Sequence, residues 1–192
     1  MFILIGSDQA WKTKQIYLNN NSYGIATDIT FEKTSRLITC SYENGDIFIM
    51  TLKNDGNIQV IKQLENSLNI PTFCLASISA PSPLLIAGYI NGEIKIHKLT
   101  DSYDFVTSLG DHLRMITSLV TYNNYIISSG EDSYVNIFRI DDNLKIQLVS
   151  CHEIPNRIPV GLTIIPVSEK MINIVVTCYD YNCLVYLDNI QL

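Results

Sequence analysis

Residues 84–99 read LLIAGYINGEIKIHKL, and this stretch decides the fold of the chain. The apolar run 84–87 leads into Asn91-Gly92, after which Ile94 and Ile96 alternate with polar side chains. Asn-Gly between two apolar segments indicates a β-hairpin, because a type I′ turn needs positive φ at both central residues. Alternation with a period of two places one face of each strand in a core. The stretch therefore predicts two antiparallel strands joined by a type I′ turn.

The same sequence pattern recurs three more times, which indicates a repeat protein. The copies are 37–52 (LITCSYENGDIFIMTL), 125–140 (YIISSGEDSYVNIFRI) and, more loosely, 173–188 (NIVVTCYDYNCLVYLD). They follow one another at intervals of about 40 to 50 residues, a period typical of β-propellers. Further apolar segments flank each hairpin, such as 72–78 and 103–109 around the copy quoted first. Each repeat therefore predicts a four-stranded antiparallel sheet, which is the unit of a propeller blade.

These segments predict an all-β chain, a single and partial β-propeller domain over residues 1–192. Residues 1–18 carry spare strands, at 2–6 and 15–18, that complete another blade. The blades themselves are predicted at 22–63, 71–109, 114–150 and 160–192, and the last lacks an outer strand. This count permits a closed ring of four blades, and it equally permits part of a larger ring.

The third repeat resembles the WD-repeat family. In that family a Gly-His pair, a Ser or Thr, an Asp and a Trp form a buried hydrogen-bond relay. Here a single residue separates a glycine from His112, Ser128 or Ser129 offers the hydroxyl, and Asp132 lies in the turn. The resemblance implies that His112, Ser128 and Asp132 form a structural relay that fixes the loop between two blades.

Two features depart from the family pattern. Phe138 stands where the family has its Trp, and no repeat contains a Trp-Asp pair. The resemblance still implies about four four-stranded blades from a seven-bladed ring. It further implies a non-catalytic scaffold for protein–protein interaction.

The resemblance also implies where a partner binds, on the face that carries the hairpin turns and the loops between blades. The matching positions are Glu43, Ile90 and Glu131, just before the turns, and Arg114, shortly after His112. Two acids, one apolar side chain and one arginine make a mixed patch. Such a patch suits a peptide or protein partner with some basic character.

Two other functions are compatible with the same residues. Ser128 or Ser129, His112 and Asp132 formally compose a Ser-His-Asp set, which allows a hydrolase. A triad is recognised by geometry and by an oxyanion hole, and nothing in the sequence supplies that hole, so we expect no enzyme. A cytoskeletal or ciliary assembly component is the other alternative, implied by family association alone.

Composition narrows the classes of partner. The chain has 192 residues, of which 47% are apolar, and a net charge of -6 without a Lys/Arg cluster. Phosphate binding needs such a cluster, so we expect neither nucleic acid nor an anionic membrane as a partner. Five cysteines without a CxxC motif are expected to be free thiols in the cytoplasm. We expect no cofactor, no metal and no small-molecule substrate.

Overall fold

The structure is a computed structural model that describes residues 2–7, 10–15, 24–79, 82–100 and 102–192, the first two segments as backbone alone. The described residues form seventeen β-strands and no helix, so the all-β prediction is confirmed. No helix among these residues is long and apolar enough to cross a membrane.

Fifteen of these strands, β3 to β17, form four antiparallel sheets in chain order, which we call the first to fourth blades. The first blade contains β3 (Ala26–Glu32), β4 (Leu37–Tyr42), β5 (Ile47–Leu52) and β6 (Ile58–Leu64). The second contains β7 (Thr72–Ile78), β8 (Leu84–Tyr89), β9 (Ile94–Lys98) and β10 (Phe105–Leu109). The third contains β11 (Ile116–Tyr122), β12 (Tyr125–Gly130), β13 (Tyr134–Ile140) and β14 (Ile146–Glu153). The fourth has three strands, β15 (Pro159–Ser168), β16 (Met171–Cys178) and β17 (Leu184–Gln191).

The N-terminal strands pair with each other rather than with the fourth blade. β1 (Phe2–Ser7) and β2 (Ala10–Gln15) form a separate two-stranded antiparallel sheet. The predicted strand at 2–6 is therefore present, whereas most of the one predicted at 15–18 lies outside the described residues. The start of the predicted first blade, at 22 and 23, also lies outside them. Completion of a further blade by residues 1–18 stays a prediction.

The hydrophobic cores lie between neighbouring blades. β8 is buried along its whole length, because its side chains alternate between two contacts. Ile86 packs with Ile116 and Ile126 against the third blade, whereas Leu85 packs with Ile49 against the first. The first strands of successive blades also contact each other, β3 with β7, β7 with β11 and β11 with β15. Stacked blades with their first strands side by side form a propeller arc with those strands innermost.

The hairpin turns differ from the prediction. Tyr89 donates its backbone N–H to the Glu93 carbonyl oxygen at 2.9 Å, which leaves three residues in the loop. Gly92 has a φ of +85°, but Asn91 does not share a positive φ. The predicted type I′ turn is therefore wrong, since the glycine alone takes the left-handed conformation, as in a three-residue hairpin loop. The first blade has the same loop, with Gly45 at a φ of +88°.

Candidate functional site

One end of the arc is built from equivalent positions in all four blades. The residue that follows the second strand of each blade donates its backbone N–H to a carbonyl before the innermost strand. The four donors and acceptors, at 2.8 to 3.1 Å, are Glu43 to Ile25, Ile90 to Pro71, Glu131 to Met115 and Tyr179 to Ile158. We call this end, with its hairpin turns and the segments leading into the innermost strands, the upper face.

All four residues predicted to bind a partner lie on the upper face, but in different surroundings. Glu43 is committed to local structure, because its Oε2 accepts the backbone N–H of Ile25 at 3.2 Å. Ile90 exposes its apolar side chain to solvent. Its turn touches the loop of Arg114, since a Cβ added at Gly92 would lie 2.8 Å from the Arg114 carbonyl oxygen. These four residues therefore spread along the face instead of forming one cluster.

Glu131 borders a pocket that the sequence did not reveal. This upper pocket has a volume of about 330 Å³, and its walls come from three adjacent blades. Its apolar and aromatic walls are Phe73, Met115, Ile158, Val160 and Tyr179, and Glu131 supplies a carboxylate. Thr117 also lines it, but its hydroxyl is bonded to Ser129, 3.0 Å between the two Oγ atoms.

The pocket residues occupy equivalent positions in different repeats, but the alignment of the hairpins does not pair all of them. Phe73 and Val160 are both the second residue of an innermost strand, and a repeat alignment anchored on those strands would pair them. Tyr179 is the fourth-blade equivalent of Glu131, as the shared backbone hydrogen bond shows. The fourth hairpin loop is longer than the others, so an alignment anchored on the following strand places Asp180 there instead.

The structure brings the three relay residues into contact. His112 Nδ1 lies 3.0 Å from each carboxylate oxygen of Asp132, and His112 Nε2 lies 2.8 Å from Ser128 Oγ. A carboxylate only accepts, so Nδ1 carries the hydrogen in this pair. Asp132 also accepts the backbone N–H of Leu113 at 2.8 Å, which ties the loop to the turn. A Cβ at Gly130 would stand 2.6 Å from His112 Nδ1, so this position has room only for glycine.

The other two residues considered for the relay lie elsewhere. Ser129 faces the opposite side of β12 and bonds to Thr117. Phe138 is buried in the hydrophobic core between the second and third blades. The amide of Asn136 instead approaches His112 Nε2, with 3.4 Å between the nitrogens. Asn136, which pairs with Ser128 and lies two residues before Phe138 on β13, is thus the polar side chain of that strand nearest the relay.

Burial decides what the serine hydroxyls can do. Ser128 and Ser129 have 0% of their surface exposed, and His112 has 4%. A nucleophile must reach the substrate within hydrogen-bonding distance of its base, and these hydroxyls reach no solvent. The arrangement is suited to holding the loop 110–115 in place, as expected of a buried hydrogen-bond network.

The repeated, stacked blades form an all-β propeller arc, the predicted fold class, and solved WD40-repeat structures share this fold. Among solved structures, the WD40 repeats of RRP9 superpose with a TM-score of 0.66 at 13% identity, over 83% of this chain and 46% of theirs. U3-55K superposes with a TM-score of 0.66 at 12% identity, over 89% of this chain and 54% of its own. The computationally designed Ika4 protein gives a TM-score of 0.68 at 17% identity, over 90% of this chain and 96% of its own.

These identities are low, so the likeness is one of fold. The chain spans about half the length of the two WD40 chains and nearly all of Ika4. No family model matches the sequence, and no curated protein matches it.

Proposed function

We propose that this chain is a non-catalytic propeller segment that acts as a protein–protein interaction scaffold and binds its partner on the upper face. The observation that carries the proposal is the set of large apolar side chains exposed at that face, of which Leu113 lies on the loop held by the buried relay. Leu113 is 88% exposed, Tyr179 63% and Phe73 42%. Large apolar side chains exposed together mark interaction surfaces in soluble proteins.

The charged residues of the face favour a protein as the partner. Glu131 and Arg114 lie on the same blade, one at the hairpin turn and one on the loop held by His112. Charges at the rim of an apolar patch select partners and set their orientation, while the apolar core supplies most of the affinity. The chain's net charge of -6 disfavours nucleic acid and anionic lipid as partners.

Charge reversal tests this proposal. The double variant Glu131→Arg, Arg114→Glu keeps the net charge of the chain and reverses the rim of the face. The control is Lys33→Glu with Glu169→Arg, two exposed residues beyond the opposite ends of the innermost strands β3 and β15. Immobilised wild-type and variant chains are incubated with a cell lysate, and captured proteins are quantified by mass spectrometry.

We expect the upper-face variant to lose proteins that both the wild type and the control retain. A captured set that is the same for all three chains contradicts the proposal. Equal losses from both variants contradict it as well, because they assign the effect to charge reversal in general.

We further propose that the chain corresponds to the last blades of a longer, seven-bladed ring. This proposal extends the motif resemblance of residues 84–188 to the C-terminal part of WD repeat-containing protein 54, a correspondence that rests on those motifs and not on a match over the whole sequence. Coverage of about half of each WD40 chain supports a partial ring, and so does the three-stranded fourth blade. Sequencing the full-length transcript tests this: an in-frame upstream half is expected, and a stop codon shortly before Met1 contradicts it.

We propose a cytoplasmic location, because all five cysteines are free and three of them, Cys40, Cys74 and Cys178, are buried. Buried free thiols persist in reducing compartments. A tagged chain is expected to distribute through the cytoplasm. Accumulation on cilia, or co-sedimentation with microtubules, supports the cytoskeletal or ciliary alternative, and export of the tagged chain from the cell contradicts the proposed location.

A further inference from the structure

We propose that the upper pocket binds the side chain of a lysine or arginine presented by the protein partner. The inference rests on the proposed function, and it adds the chemistry of the residue that the partner inserts. Three properties of the pocket carry it: its shape, its unpaired carboxylate and its aromatic walls.

The shape suits one long side chain. The pocket opens on the upper face between the innermost strands of three blades and has a volume of about 330 Å³. Phe73, Met115 and Val160 line it with apolar surface, which contacts methylene groups favourably. Lysine and arginine both carry a stem of several methylene groups behind a charged end, and they bury the stem while the charge finds a polar partner.

The carboxylate of Glu131 selects the charge of the occupant. Glu131 is half-buried, and no residue in the described ranges forms an ion pair or a side-chain hydrogen bond with its carboxylate. A neutral apolar occupant would displace water from this carboxylate without replacing its hydrogen bonds, which is unfavourable. An ammonium or guanidinium group supplies those bonds as a charge-assisted pair, and an anion would be repelled.

The aromatic walls favour the same class of occupant. Tyr179 and Phe73 are both exposed and lie on different sides of the pocket, one in the fourth blade and one in the second. A cation near an aromatic ring is attracted by the negative face of the ring. The neighbouring Arg157 already stacks in this way on Tyr181, with its guanidinium carbon 4.0 Å from the ring centroid.

Matched peptides distinguish the effect of the side-chain charge on binding from the effect of its alkyl stem. The probes are acetyl-Ala-Lys-Ala-amide, acetyl-Ala-Arg-Ala-amide and acetyl-Ala-norleucine-Ala-amide, where norleucine keeps an unbranched alkyl stem and has no charge. Each is titrated into the ¹⁵N-labelled full chain, and amide shifts are followed by NMR at Phe73, Thr117, Glu131 and Val160. Glu131→Gln removes the charge while keeping the size. Glu43→Gln is the matched control on the same face, outside the pocket.

We expect the lysine and arginine probes to shift these amides and to bind about five- to ten-fold more tightly than the norleucine probe. Glu131→Gln should remove that preference and leave norleucine binding unchanged, and Glu43→Gln should behave as the wild type. Equal binding of all three probes to the wild type, or an unchanged preference in Glu131→Gln, overturns the inference. No shift with any probe overturns it too.

A second variant fills the pocket instead of changing its charge. Val160→Phe should abolish the shifts from all three probes, and retention of them would place binding elsewhere and overturn the inference. The two proposals fail separately: if partner capture depends on the upper face but the probes show no preference for charge, only the pocket inference is wrong. If capture is insensitive to the upper face, the proposed function itself is wrong.

Discussion

Ser128, His112 and Asp132 have the distances of a catalytic triad inside a blade, where no substrate reaches them. The same hydrogen bonds that would activate a nucleophile at a surface here satisfy buried polar atoms. Removing one partner leaves the others desolvated and unpaired, which costs more than the bond contributes. At the scale of single residues, we expect substitutions in this group to change the stability of the fold.

We therefore expect His112→Ala to lower the free energy of unfolding by about 2–4 kcal/mol, because it leaves the buried Ser128 Oγ without its partner, leaves the Asp132 carboxylate with backbone N–H donors alone, and opens a cavity. Urea unfolding followed by circular dichroism measures it. His152→Ala is the control, since the His152 ring contacts only Ser150 Oγ at 3.2 Å and should change the result by less than about 1 kcal/mol. A His112→Ala chain as stable as the wild type would show that the relay is not structural.

A second histidine gives the fold a pH dependence. Burial, and to a smaller extent the neighbouring Lys95 ammonium, lower the pKa of His97 to about 4. The unfolded chain takes up a proton near pH 6.5, so stability is full above that pH and is lost as the pH falls toward 4. Between pH 7 and 5 we expect the wild type to lose about 1–2 kcal/mol more than His97→Gln. Urea unfolding at the two pH values checks this, and parallel losses in both chains would contradict it.

The relay could be predicted from sequence because its members follow a spacing, whereas the pocket could not. His112, Ser128 and Asp132 occupy positions within one repeat, so a single pattern finds them. Phe73, Glu131 and Tyr179 belong to three different blades, and only the stacking of blades brings them together. Asn136 had no signal of its own, because the pattern gives a residue's place along β13 but does not show that its amide approaches His112 Nε2.

At the scale of elements, the hairpins fix the geometry of the upper face. The strands and their order could be predicted from the alternation of apolar and polar residues, and β7 occupies the predicted range 72–78. The turn type did not follow, because Asn-Gly is compatible both with a two-residue turn and with the last two positions of a three-residue loop. The choice is made by the register of β8 with β9, in which Gly88 pairs with Ile94. Register depends on packing against both neighbouring blades, which the dipeptide does not encode.

The glycines near this loop give a matched pair of substitutions. Gly92→Ala forces an alanine into a positive φ and places its Cβ 2.4 Å from the His112 carbonyl oxygen. We therefore expect the free energy of unfolding to fall by at least about 2 kcal/mol. Gly110→Ala meets nothing within 4 Å and should stay within about 0.5 kcal/mol of the wild type. Thermal unfolding compares the two variants. Equal melting temperatures would show that the second hairpin does not press on the relay loop.

At the scale of the whole molecule, the chain is an arc of blades whose equivalent hairpin turns lie together at one end, the upper face. Each blade contributes an equivalent turn to that end, so a change of residue alters the surface without altering the arc. Because the turn residues can vary while the blades stay the same, one fold can carry different binding surfaces. The fold alone therefore does not identify the partner. The blades were predictable from the repeat, whereas the closure of the ring depends on contacts beyond a single repeat.

The central claim is that partners bind the upper face, and hydrogen–deuterium exchange tests it most directly. The full chain is compared alone and with the protein whose capture the upper-face charge reversal abolishes. We predict slower exchange in the peptides that cover 71–75, 111–117, 129–133, 156–161 and 177–181, with no change in those covering the opposite turns at 33–36, 123–124 and 168–170. Slower exchange at the opposite turns, with the upper face unchanged, would contradict the account.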